Sequence, residues 1–274
     1  FGAAGQGVAS GLGALAKSAR TRLAEPVRQS IDMARKAGIP LHLSQVTDSR
    51  FLKGVGSVVN NLPFTGAGKA ARKQQDAFNR AIGRSFGVDD APQLTDEVMS
   101  AARSRIGAVY DDIYSRNNVS LDEKALTKLA DLERSASRNL PANEATVVKN
   151  QIDDILASTE NGSMPGRMYQ SFRTDRLMPQ ETGARTFQSG LIREVRRALD
   201  EAAERSVGPD DSKALAIARR QYRNMKTAEK ARAQVEGSRG NVRPASLWPI
   251  VNQSRGATPE MRELAKIGQN VLKD

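Results

Sequence analysis

The side chains able to do chemistry are few and stand apart. The chain has no Cys and one His, His42, against 42 Lys and Arg and 31 Asp and Glu. A histidine with no second histidine or thiol nearby builds no metal site and has no partner for general acid–base work. A structural or surface role is therefore expected of His42. The acidic pairs Asp89/Asp90, Asp111/Asp112, Asp153/Asp154 and Asp210/Asp211 bring a carboxylate dyad to mind. Adjacent residues on a helix point about 100° apart, so the two members of a pair do not converge on one substrate atom. Asp111/Asp112 and Asp153/Asp154 read as solvated helix faces, and Asp89/Asp90 and Asp210/Asp211 as helix starts. Gly66-Ala67-Gly68-Lys69 lacks the Walker spacing, the Ser or Thr after the lysine and a preceding strand, so it is no phosphate loop. The expectation is a protein that is not an enzyme, with no catalytic residue, no metal and no cofactor.

The remaining chemistry is cationic. Arg219, Arg220, Arg223, Lys226 and Lys230 fall in one helical stretch, and spacings of three and four place Arg219, Arg223, Lys226 and Lys230 along one face. Such a row follows a phosphate backbone or lines a pore. The alternative is a solvated face, or salt bridges between subunits. Arg193, Arg196 and Arg197 form a second group open to the same two readings. No aromatic residue alternates with these cations, so stacking on single-stranded bases is not supported.

The elements that position them are helices. Leu15, Ala19, Leu23, Val27, Ile31 and Ala34 give a helix over 14–37, with Pro26 marking a kink or a start near Glu25 and with Gly38 and Pro40 ending it. A second helix covers 66–86, with Ala70, Gln74, Ala77, Phe78, Ile82 and Phe86 on one side and Gly87 as the stop. Thr95 caps a third, whose stripe is Val98, Ala102, Ile106, Val109 and Ile113. Ser120 caps a helix to about Arg138, with Asp122 and Glu123 in its first turn, and Pro141 opens another to about Ser158. Residues 159–166 read as a loop and 167–177 as helix. Helix 184–206 carries Phe187, Leu191, Val195, Leu199 and Ala202. A long helix runs from 211 to about 235. Pro244 opens a short helix with Trp248, and Thr258 or Pro259 begins the last. No β-alternation is evident, and the heptads are too irregular for a long coiled coil.

An all-α, extended, multi-helix fold follows. The 7 Phe, 4 Tyr and 1 Trp are few for 274 residues. Alanine-rich stripes of this kind suit helices that gain burial from neighbouring subunits. The formal charge is +11. Residues 1–88 are basic by 9, residues 91–160 acidic by 4 and residues 161–274 basic by 8. The charge pattern divides the chain into a basic, Gly/Pro-hinged 1–63, a central 64–160 that is acidic from about 91, and a basic 161–274. Gly54, Gly56 and Pro63 mark a hinge. Basic ends around an acidic middle suit a polyanion partner or head-to-tail packing. No run of about 18 apolar residues is present. Phe1–Gly13 reads as the tail of a Gly/Ala-rich segment, so an internal fragment of a longer chain is expected.

Several blocks, in order along the chain, resemble the DNA ejection (internal virion, or DNA transfer) proteins of short-tailed bacteriophages. They are Gly38-Ile39-Pro40-Leu41 with Ser44-Gln45-Val46-Thr47, and Leu62-Pro63-Phe64-Thr65-Gly66 with Gln74-Gln75-x-Ala77-Phe78-Asn79. Then come Ala218-Arg219-x-Gln221-Tyr222-x-Asn224-Met225-Lys226-Thr227, Pro244-Ala245-x-Leu247, and Leu264-Ala265-Lys266-Ile267-Gly268-Gln269. The resemblance spans about 38–270 and carries over no catalytic residue. It implies a homo-oligomer that sits in the capsid interior or near the portal and tail, and that leaves with the genome. There it would build part of a conduit across the host cell envelope. The implied partners are other ejection proteins, portal or tail proteins and phage double-stranded DNA, with the host envelope reached through flanking regions. The rivals are a portal- or tail-associated plug, a basic DNA-binding module, and a delivered effector whose catalytic domain lies elsewhere.

Overall fold

The computed structural model describes residues 24–41, 67–181, 186–234, 237, 239–254 and 256–272. His42, the 51–63 hinge, Phe1–Gly13 and the blocks at 44–47 and 62–66 lie outside the described residues. The fold is all-α, with one short hairpin.

The helices are α1 Glu25–Lys36, α2 Ala67–Ser85, α3 Asp96–Arg116, α4 Glu123–Asn139, α5 Ala142–Ala157, α6 Gly166–Ser171, α7 Met178–Glu181, α8 Phe187–Ser206, α9 Pro209–Ala233, α10 Pro244–Gln253 and α11 Pro259–Asn270. A π-helical stretch, Phe172–Leu177, joins α6 to α7. Two strands, β1 Asn118–Ser120 and β2 Ser163–Pro165, pair antiparallel with Val119 opposite Met164.

Start and stop signals act locally. α1 begins at Glu25 with Pro26 in its first turn, where the missing N–H costs no bond. Thr95, Thr186 and Thr258 hydroxyls accept from backbone amides three residues on, capping α3, α8 and α11. After α2 the chain turns at Gly87, whose φ of +80° a residue with a Cβ resists, and Val88 N–H returns to Gly83 C=O at 2.9 Å.

Several local expectations need correction. Ser120 is the last residue of β1, and the cap of α4 is Asp122, which accepts from Ala125 N–H at 3.0 Å. The 159–166 loop contains β2. Three-residue strands are too short for a period of two to show. The 167–177 helix changes from α to π at Phe172. On α3 the buried side is Met99, Ala102, Ile106 and Ile113, with Val98 and Val109 at its margin. Phe187, expected in the α8 stripe, is 54% exposed, while Leu191, Val195, Leu199 and Ala202 are buried.

The chain forms two compact units. Residues 107–218 make one, and 1–106 with 219–274 make the other, so the division falls within α3 and within α9. These bounds differ from the divisions at 63 and 160 drawn from charge. The charge follows the units instead. Residues 1–106 and 219–274 hold 27 Lys and Arg against 13 Asp and Glu, a formal +14. Residues 107–218 hold 15 against 18, a formal −3.

In the 107–218 unit, α4 and α5 form a helical hairpin against α8. Its core joins Leu129, Val148, Ile152, Ile155, Val195 and Leu199 to Tyr114, Tyr169 and Phe172. In the basic unit, α11 packs on α10 and α1. α11 and α10 meet at Gly268, where a Cβ would stand 2.5 Å from Pro244 C=O. Gly268→Ala is expected to lower stability by about 2 kcal/mol, because backbone must move to admit the methyl. Urea unfolding of the variant beside the unaltered protein checks this.

The Asp122 cap is also gripped by Arg205, whose Nε and Nη2 donate at 2.6 and 2.7 Å. The Arg205 bonds, and then the Ala125 amide, pull the Asp122 carboxyl from 3.8 down to about 2. A depressed folded-state value adds stability above the unfolded value, which is lost as pH falls through the folded one. The stability gap between the unaltered protein and Asp122→Asn is therefore expected to be constant at neutral pH and to close between 3.8 and about 2. Chemical denaturation across that range measures it.

Candidate polyanion-binding surface

The α9 row divides when its side chains are placed. The inward side of α9 in the basic unit carries Asn224, Met225, Ala228 and Ala231. The exposed residues of this stretch include Arg220, Tyr222, Arg223 and Lys230, with Thr227 half-buried. The outward row is thus Arg220, Arg223, Thr227 and Lys230, at spacings of three, four and three. Arg219 and Lys226, expected on one face with Arg223 and Lys230, are less exposed, though 44% of the Lys226 side chain is open to solvent.

Carboxylates take up part of this charge. Lys226 Nζ pairs with Glu229, which also binds Arg103 Nη2 at 2.8 Å. The Lys226 hydrogen bond, ahead of the charge of Arg103, holds the Glu229 carboxyl below its ordinary range. Arg220 Nη1 lies 3.3 Å from Glu260 on the wall of a groove of about 440 Å³ between α1, α2, α9 and α11, which Lys36 and Arg84 also line. Arg223 and Lys230 have no ion-pair partner among the described residues.

The second expected group does not act as a group. Arg197 is outward, 3.4 Å from Glu194, in a groove of about 630 Å³ between α4 and α8. Glu123, Asp131, Glu194 and Glu201 line that groove together with as many cations, so it presents no field of one sign. Arg196 is turned inward. Its Nη1 donates to Asp200 at 2.8 Å, and its Nε and Nη2 grip both oxygens of Glu181, the latter at 3.1 Å. Arg193 Nε stands 3.7 Å from the same Glu181. Arg196 is a structural cation, and the Glu181 bond raises its already high pKa.

Asp200 is the centre of a cluster that spacing alone does not reveal. It accepts from Tyr169 Oη at 2.6 Å and Arg173 Nε at 3.0 Å, besides Arg196. Burial, and then the Asp200 charge, raise the Tyr169 hydroxyl well above its usual value, so it stays a donor. The partners lie 27 and 31 residues from Asp200 along the chain, beyond any helical period.

Described residues of the blocks that resemble ejection proteins make long-range contacts in the basic unit. Gln74 Nε2 donates to Pro40 C=O at 2.5 Å. Asn79, fully buried, donates to Pro92 C=O at 2.7 Å and to Asn241 Oδ1 at 2.9 Å, and its own oxygen accepts Val242 N–H at 3.1 Å. Gln75 reaches Val242 C=O at 2.9 Å, across 167 residues of sequence. Asn224, 1% exposed, donates to Ser85 C=O at 2.8 Å and accepts from the Thr258 hydroxyl at 2.7 Å. Gly268, from the last block, meets Pro244, from the one before it.

Among the described residues no three His, Cys, Asp or Glu are grouped to hold a metal ion, and no helix is long and apolar enough to cross a membrane. No protein-family model matches the chain, and neither a curated protein nor a solved structure matches it.

Asn79→Ala leaves the buried Val242 N–H without that partner, a loss expected to cost about 1–3 kcal/mol. Arg223→Ala on the outward row is expected to shift stability by less than about 0.5 kcal/mol. Thermal unfolding of both variants separates the keystone from the surface.

Proposed function

We propose that this chain is an internal virion protein of a bacteriophage that assists genome ejection, assembling with further copies into part of a DNA conduit across the host envelope. The observation that carries the reading is that described residues of the blocks that resemble ejection proteins hold one compact unit together, with Gln74 on Pro40 and Gly268 on Pro244. Pro40, Gln74, Gln75, Asn79, Asn224 and Gly268, from four blocks spread along the chain, take part in long-range bonds and a close approach within one unit. The residues that carry the likeness are thus the ones that fix the packing of this unit.

The charge adds to it. A unit of formal +14 with an outward row of Arg220, Arg223 and Lys230 attracts a phosphate backbone. Carboxylates beside Lys226 and Arg220 temper that attraction. Moderate, salt-screened contact suits a surface past which DNA must move, since a tight grip stalls transit. The role is non-enzymatic, within the virion first and at the host envelope afterwards. A second reading, a basic DNA-binding module, is favoured by the same +14.

Electron microscopy of the purified chain, with and without lipid vesicles, tests the assembly. Rings or tubes with a lumen that admits duplex DNA are expected. A monomer in every condition that still binds DNA favours the DNA-binding module. A monomer that binds no DNA removes both readings.

For the DNA interaction, the slope of log affinity against log salt is the measure. Each phosphate that the protein neutralises adds about 0.9 to its steepness, so R220E/R223E/K230E is expected to flatten it by about 2–3. An unchanged slope removes this row from the DNA interface.

A further inference from the structure

We infer that the segment Gly166–Glu181 is a detachable arm, held on α8 by Asp200 as its catch, which opens from the 107–218 unit without the rest of that unit unfolding. The inference does not depend on a role in genome ejection.

The arm is α6, the π-helical stretch and α7 in succession, and it packs chiefly on α8. Its root is fixed. Gly166 N–H donates to Asn117 C=O at 3.1 Å, and the carbonyls of Tyr114 and Asn117 leave no room for a Cβ there. Its middle is weak. A π-helical turn is rarely the most stable backbone for a sequence, and where it persists the surroundings hold it.

What holds this one is a short chain of alternating charges. Arg173 of the arm meets Asp200 of α8, Asp200 meets Arg196, Arg196 meets Glu181 at the arm's far end, and Glu181 meets Arg193. Tyr169 adds its hydroxyl to Asp200 from beneath, with its ring 4.8 Å from that of Tyr114. Two outer ties, Arg176 to Asp154 at 2.7 Å and Gln170 to Asp111 at 3.1 Å, reach α5 and α3 across exposed surface, where such bonds contribute little.

Asp200 is thus the one carboxylate shared by both sides. Its side chain is 19% exposed, and those of Arg173 and Arg196 are 29% and 22%. Remove its charge and two guanidiniums face each other with Glu181 alone to balance them. Tyr169, Phe172 and Leu177, all buried, hold the underside. When the arm lifts they are uncovered, together with the part of α8 beneath them.

Hydrogen–deuterium exchange of the whole chain, read by mass spectrometry, tests the arm. In the unaltered protein the amides of 167–181 are expected to exchange as one group, at least about tenfold faster than those of α5. Asp200→Asn is expected to speed that group by between about tenfold and a hundredfold, while α4 and α5 change by less than about threefold. Tyr169→Phe removes only the hydroxyl bond and is expected to give about fivefold in the same group. It supplies the same readout if Asp200→Asn does not fold. Arm amides protected as well as those of α5 overturn the inference. So does a variant in which α4, α5 and the arm accelerate together, or one in which nothing changes, because Asp200 would then be an ordinary part of a single cooperative core.

Discussion

Asn79 carries a backbone donor and a backbone acceptor that have nowhere else to go. Its amide accepts Val242 N–H in a buried bond on one side and donates to Pro92 C=O, nearer the surface, on the other. A chain this poor in large apolar side chains cannot rely on hydrophobic mass to choose among packings. Alanine faces slide over one another with little change in buried area. A buried amide does not slide, because a shift of one residue leaves several polar groups unmade, each costing about 1–3 kcal/mol. Asn224 does the same for Ser85 and Thr258, and Gln74 for Pro40. The basic unit owes its area to alanine, leucine and isoleucine and its register to four amides.

The acidic unit meets the same problem with charge. Tyr114, Tyr169 and Phe172 give it aromatic bulk, and around them arginines and carboxylates alternate. The distribution of net charge follows. In residues 107–218 the two signs nearly cancel, and several cations are taken up by internal partners. In the basic unit cations exceed anions by 14, so some must remain outside for lack of carboxylates. Arg223 and Lys230 are of this kind. An outward cation row in such a unit reflects stoichiometry as much as placement, which is why its salt response says more than its presence.

Much of the fold was legible in the sequence, because helix ends are local events. Pro26, Gly87, Thr95, Thr258 and Pro259 each act within one turn, and each marks an end in the structure. The apolar stripes of α2 and α8 were legible from spacing, apart from Phe187 and the half-buried Ala70 and Ala77. The errors share a cause. Ser120 and Asp122 are both good caps, and the choice between them rests on pairing between 118–120 and 163–165, a long-range contact. The π turn and the Asp200 cluster depend on what α8 offers to residues some thirty positions away. The candidate site was half legible. Arg220, Arg223 and Lys230 face out as a basic row should, but no spacing rule separates Arg197, which faces out, from Arg196, which turns in to meet Glu181.

The basic unit is written in two pieces, 1–106 and 219–274, with 112 residues of another unit between them. On the ribosome this sets a timetable. At about 5–20 residues per second, roughly 6–20 s pass between the synthesis of the two pieces. For that interval Asn79 and Gln75 have no Val242 to bind, and Phe78 and Ile82 lack the helices that later cover them. The 107–218 unit is complete by then and is free to fold first. The cationic half of the molecule therefore spends its early life unassembled, with its apolar faces open to whatever binds them before its own C-terminal helices arrive.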